Sequence, residues 1–333
     1  MILKCEGKTM NILVIGLGSM GKRRIRLIKE LYPDYVIYGV DGRQDRCDEV
    51  KELFNIECAK SINDAANSFS IDSVFVCTAP LSHNSIITEC LKNKWNVFTE
   101  LNLVSDGYNE NIELAKKNGC VLFLSSTFFY REEIKYIKEH VSLKKKWNYI
   151  YHIGQYLPDW HPWENYKDFF VGDKRTNGCR EIMAIELPWI IKTFGGVSTF
   201  SVESDKMTDL QIDYKDNYII QLKHNNGNKG ALIVDVVSPV AVRRLEVYGE
   251  NKYYRWSGTP DTLYEYCSES KDLRKVSLFE KEEHKDGYRA FIVENAYKNE
   301  INEFIDVVVN GKKQVYGFSE DLKVLELIDK LEE

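Results

Sequence analysis

Asn11-Ile-Leu-Val-Ile-Gly16-Leu-Gly18-Ser19-Met20-Gly21 decides the fold: an apolar run passes straight into Gly-x-Gly-x-x-Gly and then into residues of helical spacing. A buried strand, a tight turn and a helix in that order form the cradle in which a doubly wound sheet holds a dinucleotide. Gly16 lets the chain turn off the strand, Gly18 lets the backbone approach a pyrophosphate, and Gly21 lets the helix pack close to the sheet. The phosphates then meet a helix N-terminus, whose unpaired N–H groups and dipole favour anions. A glycine hexapeptide is a weak signal alone. Residues 35–40 strengthen it, because they read as a second buried strand ending at Asp41. That is roughly the 20-residue offset of an acid that accepts hydrogen bonds from the adenosine ribose.

Outward from the loop, short apolar strands alternate with amphipathic helices as far as residue 125. Strands are expected at 11–16, 35–41, 56–59, 71–78, 95–100 and 120–125, with helices over 20–31, 46–54, 82–93 and 108–118. That alternation predicts a parallel, Rossmann-type α/β domain. Beyond about residue 145 the runs lengthen. Residues 218–224 and 231–237 flank Asn225-Asn-Gly-Asn228, whose Asn-Gly step suits a hairpin turn. Further strands at 241–249, 252–257 and 261–267 predict an α+β domain on a large, mainly antiparallel open sheet. Helices are expected over 178–194, 289–309 and 319–331, the last capped by Ser319 with an acidic first turn. The division expected is a dinucleotide-binding domain over 1–125, an α+β substrate or oligomerisation domain over 126–318, and a C-terminal helix over 319–333.

The chain has 333 residues, more than one core usually holds, which agrees with two domains. Its formal charge of −6 argues against a nucleic-acid surface. The run Lys144-Lys-Lys146 reads as a solvated face or turn, whereas Lys22-Arg-Arg24 lies in the first turns after the glycine loop. No apolar run approaches the roughly 18 residues of a membrane span, and the N-terminus lacks a signal-peptide core, so a cytoplasmic location is expected. Eight cysteines occur without a Cys-x-x-Cys pair, suiting reduced thiols. Six dispersed histidines give no support for a structural metal site, and none is expected.

With the glycine loop, the strand ending Cys77-Thr78-Ala79-Pro80, His83 on the next helix and Val97-Phe-Thr-Glu100, the chain resembles the Gfo/Idh/MocA family of NAD(P)-dependent oxidoreductases. The resemblance extends over nearly the whole length. It implies a dinucleotide domain, a C-terminal domain whose open sheet often forms the oligomer interface of a homodimer or homotetramer, and a sugar, inositol or nucleotide-linked sugar as substrate. The segment Gly154-Gln-Tyr-Leu-Pro-Asp-Trp-His-Pro-Trp-Glu-Asn-Tyr166 looks like the loop of relatives in surface-polysaccharide sugar pathways. Two departures stand out. The family's strand-end Glu-Lys-Pro reads Glu100-Leu101-Asn102 here, and its helical histidine and aspartate fall on Ile185 and Pro188. Hydride transfer from an alcohol also releases a proton, and a positioned acid–base group contributes on the order of 10²- to 10⁴-fold. Leucine, isoleucine and proline supply none.

The expected cofactor-binding residues are therefore Gly16, Gly18, Ser19, Met20, Gly21, Asp41, Arg43, Thr78, Ala79, Pro80, His83, Glu100 and Asn102. A carboxylate at 41 disfavours a 2′-phosphate, so NAD is the first choice. Lys22, Arg23 and Arg43 keep NADP open, since a cation there can pair with that phosphate. His83 reads equally well as a structural histidine. Aromatic and basic side chains over 155–180 suit a sugar ring and an anionic group: Gln155, Tyr156, Trp160, Trp163, Lys174, Arg175 and Arg180. The same aromatics also read as pins for a long loop. His161, whose ordinary pKa suits proton transfer, and Glu186 are the expected substitutes for the missing acid–base groups. Three functions remain open: an oxidoreductase with an atypical proton relay, a cofactor-binding sensor or partner without turnover, and an enzyme using bound NAD transiently for elimination or epimerisation.

Overall fold

The structure is a computed structural model that describes residues 9–141, 145–161, 164–279 and 293–333. It divides into two compact units: residues up to Ser125 with Lys298–Leu322, and Ser126–Tyr297 with Lys323–Glu333.

The first unit runs β1 (Asn11–Ile15), α1 (Ser19–Leu31), β2 (Val36–Val40), α2 (Gln44–Phe54), β3 (Glu57–Ala59), α3 (Ile62–Ser68), β4 (Ser73–Val76), α4 (His83–Lys92), β5 (Asn96–Thr99), α5 (Tyr108–Asn118) and β6 (Leu122–Leu124). Its strands lie in the order β3-β2-β1-β4-β5-β6 and pair in parallel throughout. Ile12, Leu13, Val14, Val74, Phe75 and Val76 are all fully buried, as strands covered on both faces must be. The strand order reverses between β1 and β4. That switch point opens a crevice at the carboxyl ends of the strands, directly at the glycine loop.

The second unit contributes α6 (Glu132–His140), β7 (Trp147–Gly154), α7 (Gly178–Phe194), β8 (Val197–Asp205), β9 (Asn217–His224), β10 (Lys229–Asp235), β11 (Val242–Gly249), β12 (Lys252–Trp256), β13 (Tyr264–Cys267) and β14 (Asp272–Lys275). The sheet order is β14-β13-β12-β11-β7-β10-β9-β8, and every pairing is antiparallel except β7 with β10. Along β7 the side chains alternate. Tyr149 turns inward to stack on Phe194 of α7 and Tyr151 to meet Trp189 edge-on, while Ile150 points outward at 44% exposure. The last helices are α8 (Glu294–Asn310) and α9 (Phe318–Glu332). Phe304 of α8 packs edge-on against Phe75, Phe98 and Phe123 beneath the first sheet.

The α/β and α+β classes and most elements agree with expectation, and the differences have physical causes. The helices α3 and α6 are short, with little periodicity to detect. Residues 298–322 belong to the first unit rather than to a domain ending at 318, because Phe304 completes that core. Ser319 is not a cap: α9 already begins at Phe318, and the Gly317 carbonyl accepts the N–H groups of Glu320 and Asp321. Residues 289–292 of the expected penultimate helix lie outside the described residues.

Candidate functional site

In the first unit the glycine loop has the shape its spacing predicts. Gly16 sits at φ 89°, and a Cβ there would stand 2.7 Å from the Cys77 carbonyl oxygen. A Cβ on Gly21 would collide with the Gly16 carbonyl oxygen, so α1 comes this close to the turn only with glycine. Gly18 caps α1, and no side chain caps the first turn. The amides at the start of α1 are thus in place for a pyrophosphate, with Ser19 and Met20 at the rim. These residues fit a dinucleotide.

Asp41 is built into this loop. Its Oδ2 accepts the Leu17 N–H at 2.8 Å and its Oδ1 accepts the Arg43 N–H at 2.9 Å, so β2 and the loop hold each other in register. A carboxylate has further lone-pair sites for a ribose hydroxyl. The cations expected to attract a 2′-phosphate are engaged elsewhere. Arg43 is exposed and pairs with Asp45, Lys22 pairs with Glu49, and Arg23 is buried with its Nη1 against Met20 Sδ. Arg46, which spacing did not single out, lies 3.4 Å from Asp41 and over Gly18. It reaches the loop from the first turn of α2, a placement only the packing of α2 reveals.

At the ends of β4 and β5 the structure separates lining residues from braces. Thr78 Oγ1 accepts from Ser82, while Ala79 is exposed and Pro80 opens a single 3-10 turn. His83 is 2% exposed, with Nδ1 2.6 Å from Asn102 Oδ1 and Nε2 2.9 Å from the Thr78 carbonyl. Burial pushes its pKa down. His83 and Asn102, both expected to bind cofactor, instead brace the Thr78–Pro80 turn against β5. Glu100 is held by Arg24 of α1 through two contacts of 2.6 and 3.1 Å. Arg24 is itself fully buried and also pairs with Glu300 of α8 at 2.7 Å, so Glu100 anchors α1 before it can serve a ribose. Burial raises the Glu300 pKa, which fits one cation shared by two carboxyl groups.

In the second unit, the loop after β7 is pinned by its own backbone. Gln155 N–H donates to Asp235 O, Tyr156 N–H to Ser238 O, and Trp160 Nε1 to Gln155 O. His161 is half-buried with its ring 4.4 Å from Phe169. Lys174 and Arg175 are exposed on a 3-10 turn capped by Asp173. Trp163 lies outside the described residues. Arg180, expected to bind substrate, is 6% exposed and closed by Asp329 and Glu332 of α9, so it fastens α7 to α9 instead.

Glu186 is likewise committed to structure. It is fully buried, ion-paired to Arg243 of β11, and accepts from Tyr151 at 2.9 Å and Trp189 Nε1 at 2.7 Å. Three donors around one carboxylate hold it fixed, which suits a structural brace better than a proton shuttle. Its partner Arg243 is 57 residues away in the chain, so spacing along α7 does not reveal the pair. Glu181 differs. Its Oε2 is buried without a hydrogen-bond partner among the described residues, and burial raises its pKa to about 7. It precedes Ile185 by four residues and Pro188 by seven, so the three share one face of α7. That spacing was the signal available in the sequence.

Among the described residues no group of His, Cys, Asp or Glu is arranged to hold a metal, and no helix is long and apolar enough to cross a membrane. The seven described cysteines are free.

Residues 10–126 match the family model described as the oxidoreductase family, NAD-binding Rossmann fold. Myo-inositol 2-dehydrogenase of Thermotoga maritima is 32% identical over 136 residues, 40% of this chain and 40% of that protein. The chain thus matches about two fifths of the length of such curated relatives. Two solved structures share the fold at low identity. The WlbA dehydrogenase from Bordetella pertussis, in complex with NADH and UDP-GlcNAcA, superposes with a TM-score of 0.77 at 13% identity, covering 97% of this chain and 95% of that one. A biliverdin reductase from Synechocystis, in complex with biliverdin and NADP+, gives 0.74 at 15% identity over 97% and 98%.

Proposed function

We propose that this chain, whose residues 10–126 match the oxidoreductase family model with an NAD-binding Rossmann fold, belongs to the Gfo/Idh/MocA family and is an NAD(P)-dependent oxidoreductase acting on a sugar or nucleotide-linked sugar. The observation that carries this reading is the glycine cradle: an α1 N-terminus with no side-chain cap, held against Asp41 and ready for a pyrophosphate. Support for the substrate class comes from the inositol enzyme at 32% identity, from the UDP-GlcNAcA complex of the same fold, and from the exposed Lys174 and Arg175 beside an aromatic loop. The loop over 154–166 extends the reading to surface-polysaccharide sugar biosynthesis in the cytoplasm. The outer face of the second sheet, where Ile150 and Ile219 are 44% and 52% exposed, supports assembly as a homodimer or homotetramer.

For proton transfer we assign Glu181 first and His161 second, since a carboxyl raised to about 7 by burial is tuned for an acid–base role near neutrality. The chemistry the cofactor supplies is hydride exchange. The chain's own task is to orient the substrate and take up the hydroxyl proton.

The test is to release nucleotide from the purified protein for mass analysis and then follow reduced-nicotinamide absorbance with a panel of nucleotide sugars and inositols. Substrate-dependent reduction of NAD or NADP supports the reading; absence of binding by either dinucleotide rejects it. Leu101, Ile185 and Pro188 favour a second reading, a cofactor-binding sensor or partner. Dinucleotide binding with neither redox change nor product supports that one, and product without net redox change supports transient use of NAD.

A further inference from the structure

We propose that Asp321 and Tyr108 are positioning residues for the cofactor cleft: through the Asn102 amide they set which nitrogen of His83 carries the proton, and so whether the Thr78–Pro80 turn is held. The proposal rests on the reading of the glycine loop as a dinucleotide cradle, because this turn packs on that loop. Thr78 Cγ2 lies 2.9 Å from where a Cβ on Gly16 would stand.

A row of buried polar groups leads from α9 to the turn. Tyr108 and Tyr316 donate to the Asp321 carboxyl at 2.6 and 2.7 Å. Asn102 is buried and turns Nδ2 toward the Tyr108 hydroxyl, yet that nitrogen has no hydrogen-bond partner among the described residues. Its Oδ1 lies 2.6 Å from His83 Nδ1, and His83 Nε2 lies 2.9 Å from the Thr78 carbonyl oxygen. Thr99 Oγ1, 3.3 Å from Nδ1, donates to the Glu100 carbonyl. Tyr108, Asn102 and His83 line one small cavity together with Phe318. The titratable groups that face Asp321 are Tyr108 of α5 and Tyr316 before α9, with Glu320 bearing on Tyr316; Glu100 bears on His83.

His83 thus meets an oxygen on each side of its ring. Burial favours the neutral imidazole, which has one N–H to offer the two. The conflict ends if the amide turns end for end: Asn102 Nδ2 then donates to Nδ1, and Nε2–H donates to Thr78. Asn102 Oδ1 now faces the Tyr108 hydroxyl and needs its proton. An ionised Asp321 holds that proton. A protonated Asp321 donates to the Tyr108 oxygen instead and frees the Tyr108 proton for Asn102. With Asp321 protonated, every group in the row is therefore satisfied and the Thr78 carbonyl is bound. With Asp321 ionised, Asn102 donates to Tyr108, Nδ1–H meets Oδ1, and the Thr78 carbonyl loses its donor. Burial raises the Asp321 pKa to about 6, so the exchange falls in a range where the protein is readily studied. A turn held in place beforehand binds a ligand at a smaller entropic cost.

The test uses the full-length protein with nitrogen-15-labelled histidine, assigning the His83 signals by their loss in His83→Gln. Between about pH 5 and 7.5 the parent is expected to pass from the Nε2–H to the Nδ1–H tautomer, with the midpoint at the Asp321 pKa. Asp321→Asn, whose amide always has a proton for Tyr108, holds Nε2–H throughout, and Tyr108→Phe shows no pH-dependent exchange. NAD affinity measured by titration calorimetry falls about threefold or more over the same range in the parent, the effect of one hydrogen bond, and stays level in Asp321→Asn. A tautomer that ignores pH in the parent, the same exchange in Tyr108→Phe, or a ring that becomes imidazolium instead would each overturn the proposal. So would an NAD affinity that follows pH equally in Asp321→Asn. If neither NAD nor NADP binds at any pH, the cradle reading fails and the cofactor role fails with it. That result is distinct from a failure of the relay, which the histidine signals report without any nucleotide.

Discussion

Glu181 and Glu186 sit on one helix, five residues apart, and their surroundings give them opposite chemistry. Glu186 is surrounded by Arg243, Tyr151 and Trp189, all donors, which fix its two oxygens in place. Glu181 Oε2 is buried with no donor among the described residues, and burial alone moves its pKa from 4.5 to about 7. If Glu181 takes the hydroxyl proton, alcohol oxidation rises as pH passes about 7, and Glu181→Gln lowers kcat by at least about tenfold and removes that limb. A pH–rate profile checks this, and an unchanged profile returns the assignment to His161. Glu181 also carries a stability cost. Its raised folded pKa favours folding at low pH, a contribution lost as pH rises from 4.5 through 7. Glu181→Gln is therefore expected to raise stability at pH 8, by on the order of 3 kcal/mol, in denaturant titrations. A loss of both activity and stability would mark a merely structural residue.

Helices and strands here are joined by buried polar links as well as by apolar packing. Glu186 ties α7 to β7 and β11, and Arg24 ties α1 to β5 and α8. Removing one member leaves the other charge buried and unpaired. Glu186→Ala is thus expected to cost roughly 3 to 5 kcal/mol, whereas Glu186→Gln retains partners and costs less. Thermal unfolding of the two variants checks the order, and equal midpoints for both would remove the ion pair as the cause. For α1 the decisive contact is steric. Gly21→Ala drives a Cβ into the Gly16 carbonyl, so the helix must shift and NAD affinity is expected to fall at least about tenfold. An unchanged dissociation constant would mean that the loop adapts. The first case could not be read from the chain because its partners are scattered, the second could because its partner is five residues away.

Across the whole chain, residues 298–322 return to the first unit and bring Asp321 into its interior. There it accepts from Tyr108 at 2.6 Å and Tyr316 at 2.7 Å, yet burial outweighs both and raises its pKa from 3.8 to about 6. The folded state therefore holds this proton more tightly than the unfolded chain does. Its contribution is complete below about pH 4 and is lost as pH rises through 6, about 3 kcal/mol in all. The difference in stability between the parent protein and Asp321→Asn is expected to change by that amount between pH 4 and 7.5. A constant difference would show that folding leaves the Asp321 pKa unshifted. The sequence by itself determined the dinucleotide cradle, because Gly16, Gly18, Gly21 and Asp41 act through local turn geometry and a strand–helix–strand rhythm that spacing records. It also marked Leu101, Ile185 and Pro188 as positions without proton chemistry. Tertiary structure alone decided which charged residues are spent on the scaffold and which stay available. Arg24, Arg180, His83, Asn102 and Glu186 find their partners far along the chain, and Arg46 and Glu181 take their character from which partners packing brings or withholds. Burial and long-range pairing set a side chain's charge and reach, and neither is a property of neighbours in sequence.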